Sequence, residues 1–363
     1  MAFALDSLAH PIVQAPMGGG PSTPALAAAV SGAGGLGFLA AGYKRPDAVR
    51  GDVEQLRSLL PGGVPFGINL FAPPGHGAGV ADVAAYAETL RAEAQRSGTA
   101  LGEARWDDDR YAEKLDLVCA ERVPVVSFTF GCPSPDDVRR LQDAGAAVWV
   151  TVTTPEEASA AHATGVDALI AQGIEAGGHR GSFDDSRPGD LGLLALLQLV
   201  RSAVDDATPL VATGAIATGR AVAAVLAAGA AAAQLGTAFM LCPEAATAPA
   251  HRAAIEDSHA STALTRAFTG RAARGIVNRF QREHSQKAPG AYPEVHHLTA
   301  PLRAAARERG DADGFHLWAG QTFPLAEAMP AAALVVQIAD EARKVLADTT
   351  GRLRDAGRLQ DGL

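Results

Sequence analysis

The sequence predicts an α/β protein: a (β/α)8 TIM barrel with a second, smaller and mostly helical domain near the C-terminus. Eight short runs rich in Val, Ile, Leu and Phe recur along the chain, and Ala-rich, helix-compatible segments separate them. The runs are continuously apolar, as parallel strands covered on both faces are. They span residues 11–17, 36–41, 65–70, 123–130, 146–152, 168–171, 209–213 and 232–237. Eightfold alternation favours a closed barrel over the alternative, a doubly wound open sheet.

Helix start and stop signals stand between these runs. The stretch PSPDDVRRLQDAGA opens with Pro and Asp and closes with Gly, and TPALAAAVSGAGG is a second helical segment. The alternation of apolar runs and helical segments is interrupted at residues 73–122, where we expect extra helices over the barrel rim. It is interrupted again after the eighth run. We therefore predict a barrel at 1–243, a small domain over the ligand mouth at 244–319, and a C-terminal helix returning to the barrel at 320–363.

Composition argues against several classes of function. The chain has 363 residues and a formal net charge of −9, whereas a nucleic-acid-binding protein normally carries a basic face. Its three cysteines lie far apart without a CxxC, so no metal site is predicted, and their low density is typical of the reducing cytoplasm. The N-terminus has no basic segment before an apolar core, so we expect no signal peptide. The uncharged residues 221–241 indicate a helix and a buried strand broken at Gly229 rather than a membrane span.

Two loops point to an anion site. In a (β/α)8 barrel a phosphate commonly binds between the loops after strands seven and eight, here ATGAIATGR and QLGTAF. Gly214 and Ala215 let the backbone approach an anion, and a helix beginning after Gly214 would direct its positive end to the same point. Gly236 and Thr237 add a bare N–H and a hydroxyl. A GxGxxG match at residues 32–37 ends a helical segment and enters a strand, the reverse of a dinucleotide fingerprint, so we interpret it as a helix C-cap and turn.

The stretch QGIEAGGHRG, residues 172–181, follows the sixth strand. With Gly177 and Gly178, this loop adds a third stretch of backbone without side chains to the predicted anion site. The alternative is that the glycines of all three loops only make tight turns. His179 could abstract a proton or stabilise an anion near neutral pH; the alternative is a histidine that only orders its loop.

Other strand ends supply groups suited to a flat heterocycle. The loop QAPMGGG places Pro16, Met17 and Gly18 at the barrel mouth, where an apolar ring could lie against the backbone. Asn69 ends the third strand and Gln172 the sixth, and both offer a donor and an acceptor. The alternative for these two is a satisfied core amide.

The remaining histidines are expected to lie at the surface. His296 and His297 belong to the predicted small domain. The others are expected to be solvated, namely His10, His76, His162, His251, His259, His284 and His316.

Several of these segments together resemble the nitronate monooxygenase family, formerly called 2-nitropropane dioxygenases. The resemblance rests on QAPMGGG, GINLF, SFTFG, QGIEAGGHRG, ATGAI, AQLGTAF, TRAFTGRAARGIVN and LWAGQ, which span most of the chain in order. The pieces GRAARG and LWAGQ are similar to those of the bacterial class I branch. One departure is Ala215, because many relatives read GGI where this chain has GAI.

The resemblance implies an FMN-dependent TIM barrel in which His179 is catalytic. The anion at the three loops is then the FMN phosphate. With the loop residues named above, the resemblance and the pattern together make the cofactor-binding set Pro16, Met17, Gly18, Asn69, Gln172, Gly177, Gly178, Gly214, Ala215, Gln234, Leu235, Gly236 and Thr237. Tyr292, in the small domain, is expected to wall the substrate pocket.

The implied reaction is oxidation of alkyl nitronates by O2 to a carbonyl compound and nitrite, through a flavin semiquinone. His179 would stabilise the nitronate anion or remove the α-proton of a neutral nitroalkane. The implied partners are the nitronate and O2, with no nucleic acid or membrane, for a cytoplasmic monomer or homodimer. An NAD(P)H-dependent flavin enoyl or quinone reductase is the nearest alternative, and a non-catalytic flavin-binding protein is another. Inosine-monophosphate dehydrogenases share the barrel but need a cysteine after strand six, and none stands between Cys132 and Cys242.

Overall fold

A computed structural model describes residues 3–73, 79–257 and 259–360. Within these ranges eight parallel strands form a nearly closed barrel. The barrel strands are β1 Ile12–Gln14, β2 Phe38–Ala40, β3 Gly67–Phe71, β4 Val125–Thr129, β5 Ala147–Val152, β6 Ala168–Gln172, β8 Leu210–Thr213 and β9 Ala232–Leu235. Three further strands are β7 Gly178–His179, β10 Thr262–Thr265 and β11 Ala273–Ile276.

The barrel strands follow the order β1-β9-β8-β6-β5-β4-β3-β2 around the sheet. A parallel bridge between Val13 and Leu36 spans the remaining gap between the first two strands. Each barrel strand lies in one of the eight predicted apolar runs, with β3 and β6 each one residue longer at the C-terminal end. The predicted (β/α)8 fold is confirmed, and the open sheet is excluded.

Helices cover the outside of the barrel and form most of the smaller unit. Their bounds are α1 Pro24–Gly32, α2 Pro46–Leu59, α3 Val80–Thr89, α4 Arg91–Ser97, α5 Tyr111–Ala120, α6 Pro135–Asp143, α7 Pro155–His162, α8 Leu193–Ala203, α9 Gly219–Ala227, α10 Pro249–Glu256, α11 Arg279–His284, α12 Glu294–Glu308 and α13 Ala331–Gln360. Thr23, Ser134 and Thr154 cap α1, α6 and α7, and a proline follows each cap. A hydroxyl that accepts an orphan N–H, with proline next, is the expected local start of a helix. The GxGxxG segment closes α1 and enters β2, as predicted.

The core has two layers. A large cluster fills the space between the strands and the surrounding helices. A smaller one fills the barrel interior around Phe38 and Trp149. Gly67 makes room for this interior packing, since a Cβ at that position would lie 2.3 Å from the Phe38 ring. Side chains therefore fill the interior of the barrel, which leaves no room for a ligand between the strands.

The smaller unit packs over the C-terminal ends of the strands. Its sheet has the order β10-β11-β7, and β7 is part of the loop after β6. The insertion after β3 forms α3 and α4, as expected, and joins the same unit: the Tyr86 hydroxyl donates to the Ala267 carbonyl at 2.7 Å. Buried Phe268 and Phe280 complete this core. The stretch KAPGAYPEVHHL, which looks loop-like in sequence, enters α12 at Glu294.

The C-terminal helix α13 returns to the barrel and packs against α9 and α1. Residues 221–241 form most of α9 and all of β9, as predicted, instead of one long helix. Among the described residues, no helix is both long enough and apolar enough to span a membrane.

Candidate active site

A cavity of about 420 Å³ opens where the barrel strands end and the smaller unit covers them. Its volume lies in the range of small-molecule sites. Most of the predicted site residues line it, namely Pro16, Met17, Gly18, Asn69, Gln172, Gly177, Gly178, His179, Gly214, Ala215, Gln234, Gly236 and Thr237. Leu235 does not line it. Its side chain packs in the outer core, and its carbonyl accepts the Ala15 N–H at 2.8 Å.

The loops after β8 and β9 present bare backbone at one end of the cavity. A Cβ on Gly236 would meet nothing nearer than the Ala15 Cβ at 3.5 Å. Thr237 is tied to the segment LWAGQ, because its Oγ1 accepts the Gly320 N–H at 3.0 Å. Gly177 packs against the same segment, where a Cβ would lie 2.4 Å from the Gly320 nitrogen. These contacts bring the loops after β6 and β9 to one segment. Gly320 also lies against the loop after β8, because a Cβ on it would be 3.7 Å from the Ala215 Cα.

The departure at Ala215 has a structural consequence. Gly214 has φ +133° and Ala215 has φ +51°, so the loop after β8 passes through backbone conformations that favour glycine. An alanine in the left-handed region costs roughly 1–2 kcal/mol relative to a right-handed residue.

One expectation about this loop is wrong. The helix after β8 begins at Gly219, five residues beyond Gly214, and Thr218 caps it. The Gly219 N–H donates to the Glu341 carboxylate at 2.7 Å, and a Cβ there would lie 2.4 Å from the Ile338 carbonyl. The N-terminus of α9 therefore points to α13, and the backbone of the loop, not this helix end, faces the cavity.

The amide side chains divide into two kinds. Gln172 uses both ends of its amide once within the protein: its Nε2 donates to the His179 carbonyl at 3.1 Å, and its Oε1 accepts the Gly181 N–H at 2.9 Å. Gln234 lines the cavity with a buried Oε1 that has no partner among the described residues. An orphaned buried acceptor costs free energy unless a ligand donates to it. Gln234 therefore fits a ligand donor, whereas Gln172 ties the loop that carries His179.

Asn69 is the other amide on the lining. Its Nδ2 donates to the Ser127 hydroxyl at 3.0 Å and to the Thr129 hydroxyl at 2.9 Å. The side chain is thereby held at the end of β3 by its neighbour strand β4. Among the described residues its Oδ1 accepts no hydrogen bond, so this atom is free to accept one from a ligand.

A network of buried hydrogen bonds holds the loop of residues 173–183 in place. Arg180 is fully buried and donates to the carbonyls of Gly173, Gln172 and Pro188. Arg271, two residues before β11, donates to the carbonyls of Arg180 and Ser182. Both guanidinium groups donate hydrogen bonds to backbone carbonyls of this loop or its neighbours, so their role is to fix the loop.

The loop is also a strand of the smaller sheet. Ala273 pairs with His179, and Arg274 pairs with Gly178, in antiparallel register. The ring of His179 places Nε2 2.9 Å from the Thr269 hydroxyl. Edge-on contact with Phe130, at 5.7 Å between ring centroids, closes another side. The orientation of His179 is therefore set by the smaller unit.

His179 is held neutral. Burial lowers its pKa from 6.5 to about 3, and the charges of Arg271 and Arg303 act in the same direction. An imidazole without its proton is a competent base, whereas its cation would not be. The neutral ring can accept a proton, but the burial and the charges that hold it neutral also make it a weak base, so a negative charge must develop beside it as the proton moves.

Sequence reasoning missed a group of lining residues. His296 was expected at the surface, but it faces the cavity on α12 and stacks on Tyr43, with centroids 4.2 Å apart and planes 4° apart. Arg303 and Arg307 follow on the same helix face and line the same cavity. Their spacing suits one face of a helix, and recognising α12 in the sequence would have revealed it. His297 is half-buried, with Nε2 2.7 Å from the Asp107 carboxylate.

The expectation of solvated histidines is wrong at three positions. His251, His284 and His316 are buried, and the first and last of these line the cavity. Burial lowers the pKa of His251 to about 4. His76 lies outside the described residues. His10, His162 and His259 are exposed or half-buried, in keeping with the expectation.

Tyr292 lies behind the lining. It is 7% exposed and packs edge-on against Phe130, with centroids 5.4 Å apart. Its ring is 6.0 Å from that of His179. It supports the aromatic wall without being one of the lining residues.

Comparison with known proteins agrees with this geometry. A family model described as "Nitronate monooxygenase" matches residues 3–341. The chain is 43% identical over 354 residues to a nitronate monooxygenase of Pseudomonas aeruginosa, covering 93% of this chain and 98% of that protein. A solved nitroalkane oxidase from Streptomyces ansochromogenes is 50% identical with a TM-score of 0.90, covering 96% of this chain and 99% of that one. FabK from Thermotoga maritima is 27% identical with a TM-score of 0.74, covering 96% and 98%.

Proposed function

This chain belongs to the nitronate monooxygenase family of flavin-dependent oxidoreductases, and from that premise we propose that it oxidises alkyl nitronates with O2 to a carbonyl compound and nitrite. We extend the proposal to neutral nitroalkanes, since a nitroalkane oxidase is a close structural relative. The observation that carries it is a neutral, ordered imidazole, His179, on the wall of a cavity that also offers a bare-backbone anion site.

FMN is the proposed form of the flavin. Gly177, Gly214, Gly236 and Thr237 would hold its phosphate through backbone N–H groups and one hydroxyl. The buried, unpaired Oε1 of Gln234 supports this fit, because the flavin and its ribityl chain carry N–H and O–H donors. When bound, the flavin supplies the transfer of electrons from substrate to O2.

The other predicted cofactor-binding residues either line the cavity or act through neighbouring groups. Pro16, Met17 and Gly18 offer an apolar surface at the cavity wall, and Asn69, Gly178 and Ala215 line it as well. Gln172 would act through the loop that it ties, and Leu235 only through its backbone. All of these assignments remain proposals.

His179 would act as the base for neutral substrates. When the Thr269 hydroxyl donates to the Arg271 carbonyl, 3.3 Å away, it accepts from Nε2–H of His179, and Nδ1 then carries the lone pair. The α-C–H bond of a nitroalkane breaks, its electron pair forms the C=N bond, the π pair of the N=O bond moves to oxygen, and the proton is held on Nδ1. A nitronate has already lost that proton and needs only binding.

We also keep the proposed division of the chain: a flavin-binding barrel at 1–243, a substrate-covering domain at 244–319, and a returning helix at 320–363. Its support is the contribution of Arg303, His296 and Trp318 to the cavity wall. The three cysteines are free, in keeping with a proposed cytoplasmic location, and the proposed assembly is a monomer or homodimer.

Anaerobic stopped-flow mixing tests the function. Propionate 3-nitronate should reduce the bound flavin within the turnover time, as judged by the visible spectrum. Reduction by NADPH and not by the nitronate would show the enoyl or quinone reductase instead. Reduction by neither would leave a flavin-binding protein without turnover, and the proposal would be wrong.

A further inference from the structure

The cavity is positively charged, although the protein as a whole is acidic. The chain carries a net charge of −9, yet none of the residues that line the cavity within the described ranges is Asp or Glu. The charged side chains on the lining are Arg303 and Arg307. Burial lowers the pKa values of the lining histidines His179, His251, His296 and His316, so these rings are neutral near pH 7.

Arg303 is a buried cation without an anion. It is 8% exposed, and none of the charges acting on it comes from a carboxylate. Burial lowers its pKa from 12.5 to about 10, so it stays protonated at neutral pH. Desolvating an unpaired charge is costly, so such a group normally has a partner.

The guanidinium of Arg303 is held in place with one nitrogen free. Its Nε donates to the Thr299 hydroxyl at 3.0 Å, and its Nη2 donates to the His296 carbonyl at 2.8 Å. Among the described residues Nη1 has no partner, and Arg303 lines the cavity. A guanidinium fixed in this way is preorganised for a planar anion.

The neighbouring arginines are less suited to this role. Arg180 donates to three backbone carbonyls, and neither it nor Arg271 is among the described residues that line the cavity. Arg271 donates through Nε and Nη2 to the carbonyls of Arg180 and Ser182 and has the carboxylate of Asp185 nearby, so it is not a cation without an anion. Arg307 is exposed at the rim, where it donates to the Gly19 carbonyl at 3.3 Å. Solvent screens its charge there.

We propose that Arg303 binds the nitro or nitronate oxygens of the substrate, with Arg307 as a weaker second cation at the rim. This proposal rests on the proposed function and adds a separate role for each residue. Arg303 binds the negatively charged oxygens, and His179 accepts only the proton. The two residues are close enough for the charge of Arg303 to lower the pKa of His179. As a nitroalkane loses its α-proton, the charge that develops on the nitro oxygens faces the guanidinium.

Nitrate is the probe, because it is a planar monoanion with the same O–N–O edge. It would be titrated into the flavin-bound enzyme and followed by the flavin visible spectrum and by calorimetry. The wild type should bind nitrate, and nitrate should compete with nitronate. Arg303→Gln should weaken nitrate binding and raise the KM for nitronate by about 10- to 100-fold, the value of a charge-assisted hydrogen bond. Flavin content should stay the same.

Three further variants keep the test sharp. Arg303→Lys keeps the charge, but an ammonium group cannot keep the hydrogen bonds to Thr299 and His296 and also present a fixed donor to the cavity. It should therefore bind nitrate at least threefold more weakly than wild type, and it carries the test if Arg303→Gln does not fold. Arg307→Gln should have a smaller effect than Arg303→Gln. Arg309→Gln is the matched control, because Arg309 is exposed on the end of α12 and its loss changes the net charge by the same amount.

The outcomes separate the two proposals. Wild-type nitrate binding that both Arg303 variants leave unchanged would overturn the assignment, as would an Arg307→Gln effect larger than that of Arg303→Gln. Nitrate that fails to bind the wild type would overturn it too. If nitrate binding depends on Arg303 but nitronate never reduces the flavin, the anion site stands and the proposed function is wrong.

Discussion

The Nε2 atom of His179 lies 2.9 Å from the Oγ1 atom of Thr269, and the two residues belong to different parts of the fold. His179 is carried by the loop after barrel strand β6, and Thr269 precedes β11 in the smaller unit. The candidate base is therefore oriented only when the smaller unit is packed on the barrel. The predictions below follow from this arrangement and from the cavity around it.

Replacing His179 with Asn should remove the base and keep a polar side chain. We expect a loss of about 10²- to 10⁴-fold in kcat/KM on neutral nitroalkanes, the usual contribution of a positioned base. The loss on nitronates, which are already ionised, should be smaller, and the flavin should stay bound. Steady-state kinetics on both substrates measures this. Equal losses on both would show that His179 acts through positioning, and no loss on either would leave it only a loop-ordering role.

Replacing Thr269 with Val should disturb the orientation of His179 and leave the base in place. We expect kcat/KM for nitroalkanes to fall by roughly 3- to 10-fold, as for loss of one neutral hydrogen bond. Thr269→Ser keeps the hydroxyl and serves as the control. A Thr269→Val enzyme as active as the Thr269→Ser enzyme would mean that the hydroxyl does not orient the ring.

Stability should fall as the solution is acidified through the range where buried histidines resist protonation. The folded pKa values of His179 and His251, about 3 and about 4, lie below the unfolded value of 6.5. The unfolded chain therefore binds more protons, and stability present above pH 6.5 is lost as pH falls toward 4. Each pH unit in this window costs about 1.4 kcal/mol per buried histidine.

Urea unfolding between pH 7.5 and pH 4 checks this, with His179→Asn as the comparison. The variant should lose stability less steeply than wild type. Identical slopes would show that His179 is not buried as a neutral ring. Activity on nitroalkanes should also persist below pH 6.5, since the base in the folded enzyme is still unprotonated there.

Replacing Gly236 with Val should abolish flavin retention while the barrel still folds. The nearest atom to a Cβ at this position is 3.5 Å away, so the fold has room, and the branched side chain would enter the space proposed for the phosphate. The ratio of flavin to protein absorbance measures occupancy. Gly62→Val is the control, because no atom lies within 4 Å of a Cβ there. Full flavin occupancy in Gly236→Val would mean that the phosphate binds elsewhere.

Acid precipitation of the purified protein should release one FMN per chain. The bare-backbone loops after β8 and β9 are the proposed site for one monophosphate, and the GxGxxG segment ends α1 and enters β2 instead of following a strand. Chromatography of the released cofactor identifies it. FAD, or a colourless protein that binds no FMN, would contradict the cofactor proposal.

Much of this architecture is visible in local sequence. The eight apolar runs predict the eight barrel strands because burial on both faces requires continuous apolar residues. The caps at Thr23, Ser134 and Thr154 predict helix starts because the hydroxyl and the orphan N–H are only a few residues apart. The same logic placed His179 and the glycine loops at the barrel mouth, where parallel strands all end.

Other features depend on residues that are distant in the chain. Thr218 and Glu341 close the N-terminus of α9, and the second of these lies on α13, beyond the reach of any local pattern. The pairing of Gly178 and His179 with β11 joins segments almost a hundred residues apart. Such contacts form because buried N–H and C=O groups must find partners wherever packing brings them.

The sequence by itself determined the barrel, the order of its strands and the chemistry of its loop residues, because periodicity, caps and glycines act over a few residues. Only the tertiary structure decided which way those residues face and what charge surrounds them. Leu235 turns outward into the core, whereas Gln234 turns inward to the cavity. Arg303 is left without a carboxylate because α12 packs over a mouth whose described lining residues include none. Burial and charge are properties of the packed whole, and they make His179 neutral in a cationic cavity.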